Sequence, residues 1–183
     1  MTVPTNYPVL SRIRQAVIYG IENRITEGGN AIRYRDGNED IVSTEGYFTT
    51  FKHAYDPPKN IDQINEFPSC NVLTDNDFSN NFEDLTIGQN QGKAHNNFSL
   101  LLSCISSDIN DPALVQDKML HDIQKYFGIN YYIPDQTGAQ TCFDCNYESS
   151  TRWSTEDNEP RTGIDIIIKV RYRYRLTDPT LGG

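Results

Sequence analysis

The clearest pattern in the chain is an alternation of apolar and charged residues over residues 163–177. Apolar or aromatic side chains occupy its even positions: Ile164, Ile166, Ile168, Val170, Tyr172, Tyr174 and Leu176. Charged side chains occupy the odd positions from Asp165 to Arg175, with Ile167 as the exception. Because successive side chains of a strand point to opposite faces, the pattern predicts a half-buried antiparallel strand about 45 Å long. A strand of this length exceeds the usual range of about three to ten residues, so we expect it to extend beyond its own domain.

Two amphipathic helices are predicted from apolar residues that recur at three- and four-residue steps. The first covers residues 8–25, with Asn6 as its N-cap, Pro8 in its first turn and Gly28-Gly29 after its end. The second begins with Asp111 as its cap and Pro112 in its first turn, and Gly128 is expected to stop it. Its predicted buried side consists of Val115, Met119, Ile123 and Tyr126 or Phe127.

The remaining segments predict shorter strands separated by long loops. The strand candidates are Ala31–Arg35, followed by a turn at Asp36-Gly37-Asn38, and residues 67–73, 98–105 and 141–155. Residues 39–66 contain a Pro57-Pro58 pair and are predicted to form a long loop or arm. Residues 74–97 are polar, with Phe78, Phe82, Leu85 and Ile87 as anchors. Together these elements predict one α+β domain over residues 1–183, with a mainly antiparallel sheet packed against two amphipathic helices.

The net charge of -9 is distributed unevenly along the chain. Residues 36–90 contain eleven acidic and two basic residues, whereas residues 1–35 contain two acidic and five basic ones. An acidic chain repels phosphate backbones, so nucleic-acid binding requires basic residues gathered on one face. This asymmetry favours a protein that docks head to tail against other proteins.

The length of the apolar runs argues against a membrane protein. No run approaches the roughly 20 apolar residues that a membrane-spanning helix needs, so we expect a soluble protein. The N-terminal segment lacks a basic region followed by an apolar run, and we therefore expect synthesis without a secretory signal, in a cytoplasm.

Cys142-Phe143-Asp144-Cys145 is the only motif that suggests metal or redox chemistry. A structural zinc site needs four ligands, and no second pair with matching spacing accompanies this one. We therefore predict two ordinary strand cysteines in the reduced state, with no metal and no cofactor. There is also no nucleophile elbow and no phosphate loop, so we do not expect an enzyme. The alternative is a small metal-dependent enzyme that uses Cys142, Cys145 and an acidic loop.

The basic stripe, defined as Lys169, Arg171, Arg173 and Arg175, is the sharpest functional signal. One interpretation is the solvated outer face of an edge strand, where charges discourage aggregation. A second is an electrostatic interface with the acidic middle third of a neighbouring copy or of another protein. A third is a basic lining that faces DNA, as in a DNA-binding accessory protein.

The order of the elements resembles that of the tail terminator proteins of tailed bacteriophages, also called tail completion or minor tail proteins. The likeness covers most of the chain. Three signatures accompany it: the Phe67-Pro68 strand entry, the acidic Phe82-Glu83-Asp84 stretch and the terminal Ile-Asp-Ile-Ile-Ile-Lys-Val-Arg-Tyr-Arg-Tyr strand.

The resemblance implies a homohexameric ring that caps the head-proximal end of the tail tube and ends tube polymerisation. Its implied partners are further copies of itself, the tail tube protein and a neck or head-completion protein, with DNA passing transiently through the lumen. The basic stripe would contact a partner or face the lumen, and residues 39–66 would pack on a neighbour. The implied location is the virion tail or neck, after assembly in the host cytoplasm. A head-tail connector, either a stopper or an adaptor, is the alternative.

Overall fold

The computed structural model describes residues 9–74, 93–156 and 160–175, with the side chains of 93–96 and 173–175 outside that description. The predictions for Asn6, Pro8 and most of residues 74–97 therefore lie outside the described residues. Within the described part the elements are α1 Val9–Arg24, β1 Ala31–Arg35, β2 Asn38–Ser43, β3 His53–Tyr55, a 3-10 turn Ile61–Gln63, β4 Ser69–Thr74, β5 Lys93–Ser106, α2 Pro112–Ile129, β6 Asp144–Ser154 and β7 Thr162–Arg175. The predicted α+β class is confirmed.

A five-stranded sheet with the order β3-β4-β5-β7-β6 forms the centre of the molecule. Its strands are antiparallel except for β3, which pairs with β4 in parallel. Strands β1 and β2 form a separate hairpin, and the predicted turn at Asp36-Gly37 is confirmed by positive φ angles of 49° and 78°. The predicted strands at β1, β4, β5, β6 and β7 are all present.

Strand β7 lies inside the sheet. It pairs with β5 from Thr162↔Ser106 to Arg175↔Lys93, and β6 pairs along its other side. The interpretation of the basic stripe as the outer face of an edge strand is therefore wrong for Lys169 and Arg171, where β6 also pairs with β7. The strand pairs with both neighbours up to Arg171 and with β5 alone from Tyr172 to Arg175, so its extension beyond the domain stays a prediction.

The core occupies one face of this sheet. The even residues of β7 from Ile164 to Tyr172 are buried there, as the alternation predicts, together with their β5 neighbours such as Leu100 and Leu102. Both helices contribute to the same core, α1 through Ile13, Val17 and Ile21, and α2 through Met119, Ile123 and Tyr126. The sheet therefore has one face closed by its own helices.

The predicted start of α2 is confirmed and its predicted end is wrong by two residues. The Asp111 carboxylate accepts a hydrogen bond from the Leu114 backbone N–H at 3.1 Å, and Pro112 occupies the first turn. The helix continues through Gly128 to Ile129, and Asn130 ends it with a backbone N–H bond to the Tyr126 carbonyl.

The prediction of a long loop or arm over residues 39–66 is wrong where this segment forms regular elements. The segment contains most of β2, all of β3 and the 3-10 turn, and it buries Tyr47, Phe51, Ala54 and Ile64. Its elements are difficult to predict because β3 has only three residues and nearly all of β2 is exposed, so neither gives a regular apolar period.

Helix α2 holds residues 45–49 of this segment through two polar side chains. The buried Asp122 carboxylate accepts the Phe48 backbone N–H at 2.9 Å, and Lys125 Nζ donates to the carbonyls of Glu45 and Gly46. Burial raises the pKa of Asp122, and hydrogen bonds from Phe48, His121 and Thr49 partly offset this effect. At least part of the expected arm is thus fastened to its own subunit.

Asp122→Ala is expected to lower the free energy of unfolding by about 1–3 kcal/mol, because the Phe48 N–H loses its acceptor. Asp122→Asn is the matched control, since it keeps an acceptor oxygen. The folded state binds the Asp122 proton more tightly than the unfolded state does, so wild type should lose stability relative to Asp122→Asn as pH rises from the ordinary aspartate pKa to the raised one. Urea unfolding at several pH values measures both effects, and a pH-independent difference contradicts the second.

Candidate functional site

The two described cations of the basic stripe, Lys169 and Arg171, lie on the sheet face opposite the core. Lys169 and Arg171 alternate with the buried residues of β7, and their side chains are 61% and 50% exposed. The side chains of Arg173 and Arg175 lie outside the described residues, so half of the predicted interface is placed by the structure. The two described cations are accessible to a partner.

Each described cation of the stripe meets an acid on β6. Lys169 Nζ lies 2.6 Å from Glu148 Oε1, and Arg171 Nη2 lies 2.5 Å from Asp144 Oδ2. The Arg171 guanidinium also lies 5.5 Å from the ring centroid of Phe143. Exposed ion pairs of this kind contribute about 0–1 kcal/mol to folding stability. They partly neutralise the two cations and leave them able to contact a partner. These acidic partners could not be predicted from local spacing, because each lies more than 20 residues from its cation in the sequence.

The middle of the same face is ordered by a small polar network. The Asp165 carboxylate accepts hydrogen bonds from Ser103 Oγ at 2.6 Å and from Trp153 Nε1 at 3.0 Å. Any side chain at Gly163 would overlap the Trp153 indole, so this glycine lets the ring lie close to the sheet. The network joins β5, β6 and β7 at a fixed geometry.

An apolar row crosses the face between this network and the cations. Leu73, Leu101 and Ile167 are register neighbours on β4, β5 and β7, and each is only partly buried. A half-buried apolar centre with charged side chains at its margin is the usual anatomy of a protein interface. We call this surface, from Leu73 to Arg171, the solvent face of the sheet.

A cleft of about 460 Å³ opens beside the solvent face. It lies between the tip of the β1–β2 hairpin, the segment after α2 and the start of β6, and its lining includes Arg35, Asp36, Tyr131, Tyr132, Phe143 and Asp144. Its lining residues come from three distant segments, so no local spacing in the sequence indicates it. The lining includes no histidine, serine or cysteine and hence no ordinary nucleophile with a base.

The cysteines are buried in the core. Cys142 and Cys145 are 4% and 3% exposed, and burial raises the pKa of both thiols. Protonated thiols are poor nucleophiles and poor metal ligands. Across residues 9–74, 93–156 and 160–175, no three potential ligands among His, Cys, Asp and Glu gather into a metal-binding group. Cys70 and Cys104 are also buried, with their sulfur atoms 3.7 Å apart.

We expect the four thiols of the native protein to react with DTNB far more slowly than free cysteine does, because all four are buried. After unfolding, four thiols per chain should react rapidly. Metal analysis of the same sample is the companion measurement. Fast reaction of a Cys142 and Cys145 pair, or stoichiometric bound zinc, contradicts the assignment as core residues and favours the metal-dependent enzyme.

Comparison with known proteins leaves the family resemblance a prediction. No protein-family model matches the chain, and no curated protein sequence matches it significantly. In the described part of the chain, neither helix combines the length and apolar character required to cross a bilayer.

Proposed function

We propose that this protein is a structural component of a bacteriophage tail, which assembles into a closed ring at the head-proximal end of the tail tube. The ring ends tube polymerisation and provides the docking surface for the neck or head. The observation that carries the proposal is the solvent face of the sheet, where Lys169 and Arg171 stand exposed beside a half-buried apolar row.

The chemistry of this face favours binding of protein over catalysis. One side of the sheet is closed by α1 and α2, so in the described part of the chain the other side is the face left for partners. Its charged margin can select a partner and its apolar row can be desolvated on contact.

In a ring each subunit uses two different, complementary patches, one for each neighbour. The ring closes when the rotation from one copy to the next divides a full turn evenly. The solvent face carries cations, and the acidic stretch 36–90 includes the exposed Glu39 and Asp40 of β2. The order α1, β1, β4, β5, α2 and β7 is the one on which the resemblance to tail terminators rests, and β2, β3 and β6 are additional to it. The partners are then further copies, a tail tube protein and a neck protein, with no cofactor required.

The test is imaging and native mass spectrometry of the purified protein, alone and with its tail tube protein. We expect closed rings and tubes that stop growing with a cap at one end. Monomers under all conditions, including excess tube protein, would refute the proposal.

A further inference from the structure

The outer edge of β2 offers backbone groups to a new strand. The other outer edge of the β1–β2 hairpin belongs to β1, and Asn130 already bonds to its backbone groups. Asn130 Oδ1 accepts the Tyr34 N–H at 2.9 Å, and Asn130 Nδ2 donates to the Ile32 carbonyl at 3.0 Å. Asn130 is fully buried and therefore acts as a fixed substitute for a third strand. Among the described residues, β2 pairs with β1 and with no other strand.

The register identifies which groups of β2 face outward. Residues of an antiparallel ladder alternate between bonding to the partner strand and pointing away from it. Tyr34 and Ile32 direct their backbone groups to Asn130, so their register partners Glu39 and Ile41 direct theirs away from β1. Ile41 is 62% exposed, and such an edge with an accessible β-branched side chain is a template for strand addition.

The hairpin is held in place before any partner binds. Its tip is attached by the Asp36 N–H, which donates to the Gly138 carbonyl at 3.1 Å. Its first strand is covered by the Arg24 guanidinium, which lies 3.7 Å from the Tyr34 ring centroid. Little conformational entropy is therefore lost when a strand is added.

A second outer edge belongs to β6, which is the last strand of the five-stranded sheet in the described part of the chain. The Thr155 N–H donates to the Arg161 carbonyl, which sets the alternation along β6. Every second residue of β6 bonds to β7, so residues 155, 153 and 151 direct their backbone groups to β7. Ser150 and Arg152 therefore direct theirs outward, away from β7.

We propose that β2 of one copy adds to the outer edge of β6 in the next copy, so that the sheet continues across the subunit boundary. This inference rests on the proposed ring and names its contact. Two different edges meet, and such a contact is heterologous and can close a ring.

Charge selects this pairing over pairing of β2 with itself. Strand β2 carries Glu39 and Asp40 and no basic residue. Beside β6 it would meet a balanced set of charges, because Asp144 and Glu148 of β6 pair with Arg171 and Lys169 of β7, about 10 Å from the added strand. Two β2 strands side by side would instead bring their acids together.

Proline substitutions test the two edges separately. Ile41→Pro and Ser150→Pro each remove an outward N–H while leaving the backbone ladder within the chain in place, and proline is tolerated on edge strands. Ser150→Pro also removes the exposed hydrogen bond between Ser150 Oγ and Tyr147 OH. Ile41→Thr and Ser150→Thr are matched controls that keep the N–H. Under conditions in which wild type forms rings, we expect both proline variants to be monomers by native mass spectrometry and both threonine variants to form rings.

Mixing the proline variants gives the deciding result. Ile41→Pro retains an intact β6 edge and Ser150→Pro an intact β2 edge, so an equimolar mixture should form one-to-one dimers and nothing larger. Dimers also show that both variants are folded. If a melting curve shows that Ile41→Pro is unfolded, Glu39→Pro replaces it on the β2 edge, and if Ser150→Pro is unfolded, Arg152→Pro replaces it on the β6 edge, with the same results expected.

Rings formed by both proline variants as readily as by wild type overturn the inference and leave the proposed ring standing. Loss of assembly in Ile41→Pro alone, with no dimers in the mixture, also overturns it. Wild type that stays monomeric even with tube protein overturns the proposed function as well.

Discussion

Ile166→Ala is expected to lower the free energy of unfolding by about 2–5 kcal/mol, the usual range for truncating a fully buried isoleucine. Ile166 is 0% exposed at the middle of β7, opposite Leu102 of β5 and Ser150 of β6. Its removal leaves a cavity in the layer between the sheet and the helices, and strands paired on both sides of β7 restrict collapse around it. Urea unfolding at neutral pH measures the change.

Ile167→Ala is the matched control, because it removes the same atoms one residue along the same strand. Ile167 lies on the solvent face and is only partly buried, so we expect a loss of about 1 kcal/mol. Equal losses at the two positions contradict the account in which the alternation along β7 separates the core from the solvent face.

Lys169→Glu combined with Arg171→Glu is expected to leave a folded subunit that no longer assembles. Like charges placed opposite one another across an interface cost several kcal/mol, and each 1.4 kcal/mol is about tenfold in affinity, so self-association should weaken by at least about 100-fold. Analytical ultracentrifugation over a range of concentrations measures this, and circular dichroism checks the fold.

The control for this variant is Asp144→Ala combined with Glu148→Ala. It removes the acids that pair with Arg171 and Lys169 inside the subunit and leaves both cations in place. We expect this variant to assemble, and we expect high salt to weaken its assembly by screening. Equal loss of assembly in both variants would mean that the cations act only within their own subunit.

Local patterns were sufficient for the long elements. The even positions of β7 from Ile164 to Tyr172 are buried as their alternation predicts, because a strand has a period of two. The Asp111-Pro112 start of α2 was also readable, since a cap and a first-turn proline act within four residues. The end of α2 was not, because Gly128 permits a helix to end without requiring it.

The candidate site could be predicted only in part. The cations of the basic stripe were visible in the sequence, and two of them are exposed as a partner would require. Their acidic partners on β6, the Asp165 network and the cleft were not, because each depends on register between strands or on segments far apart in the chain.

By itself, the sequence determined the α+β class, the two helices and the face of β7 that is buried, since these depend on residues within a few positions of one another. Tertiary structure alone decided that β7 lies between β5 and β6, that Asp122 fastens the segment at Phe48, and that Asn130 closes one edge of the hairpin while β2 presents the other. The physical reason is that the polar contacts of Asp122 and Asn130 join residues 74 and 96 positions apart, and strand pairing joins separate segments, so no local period records either.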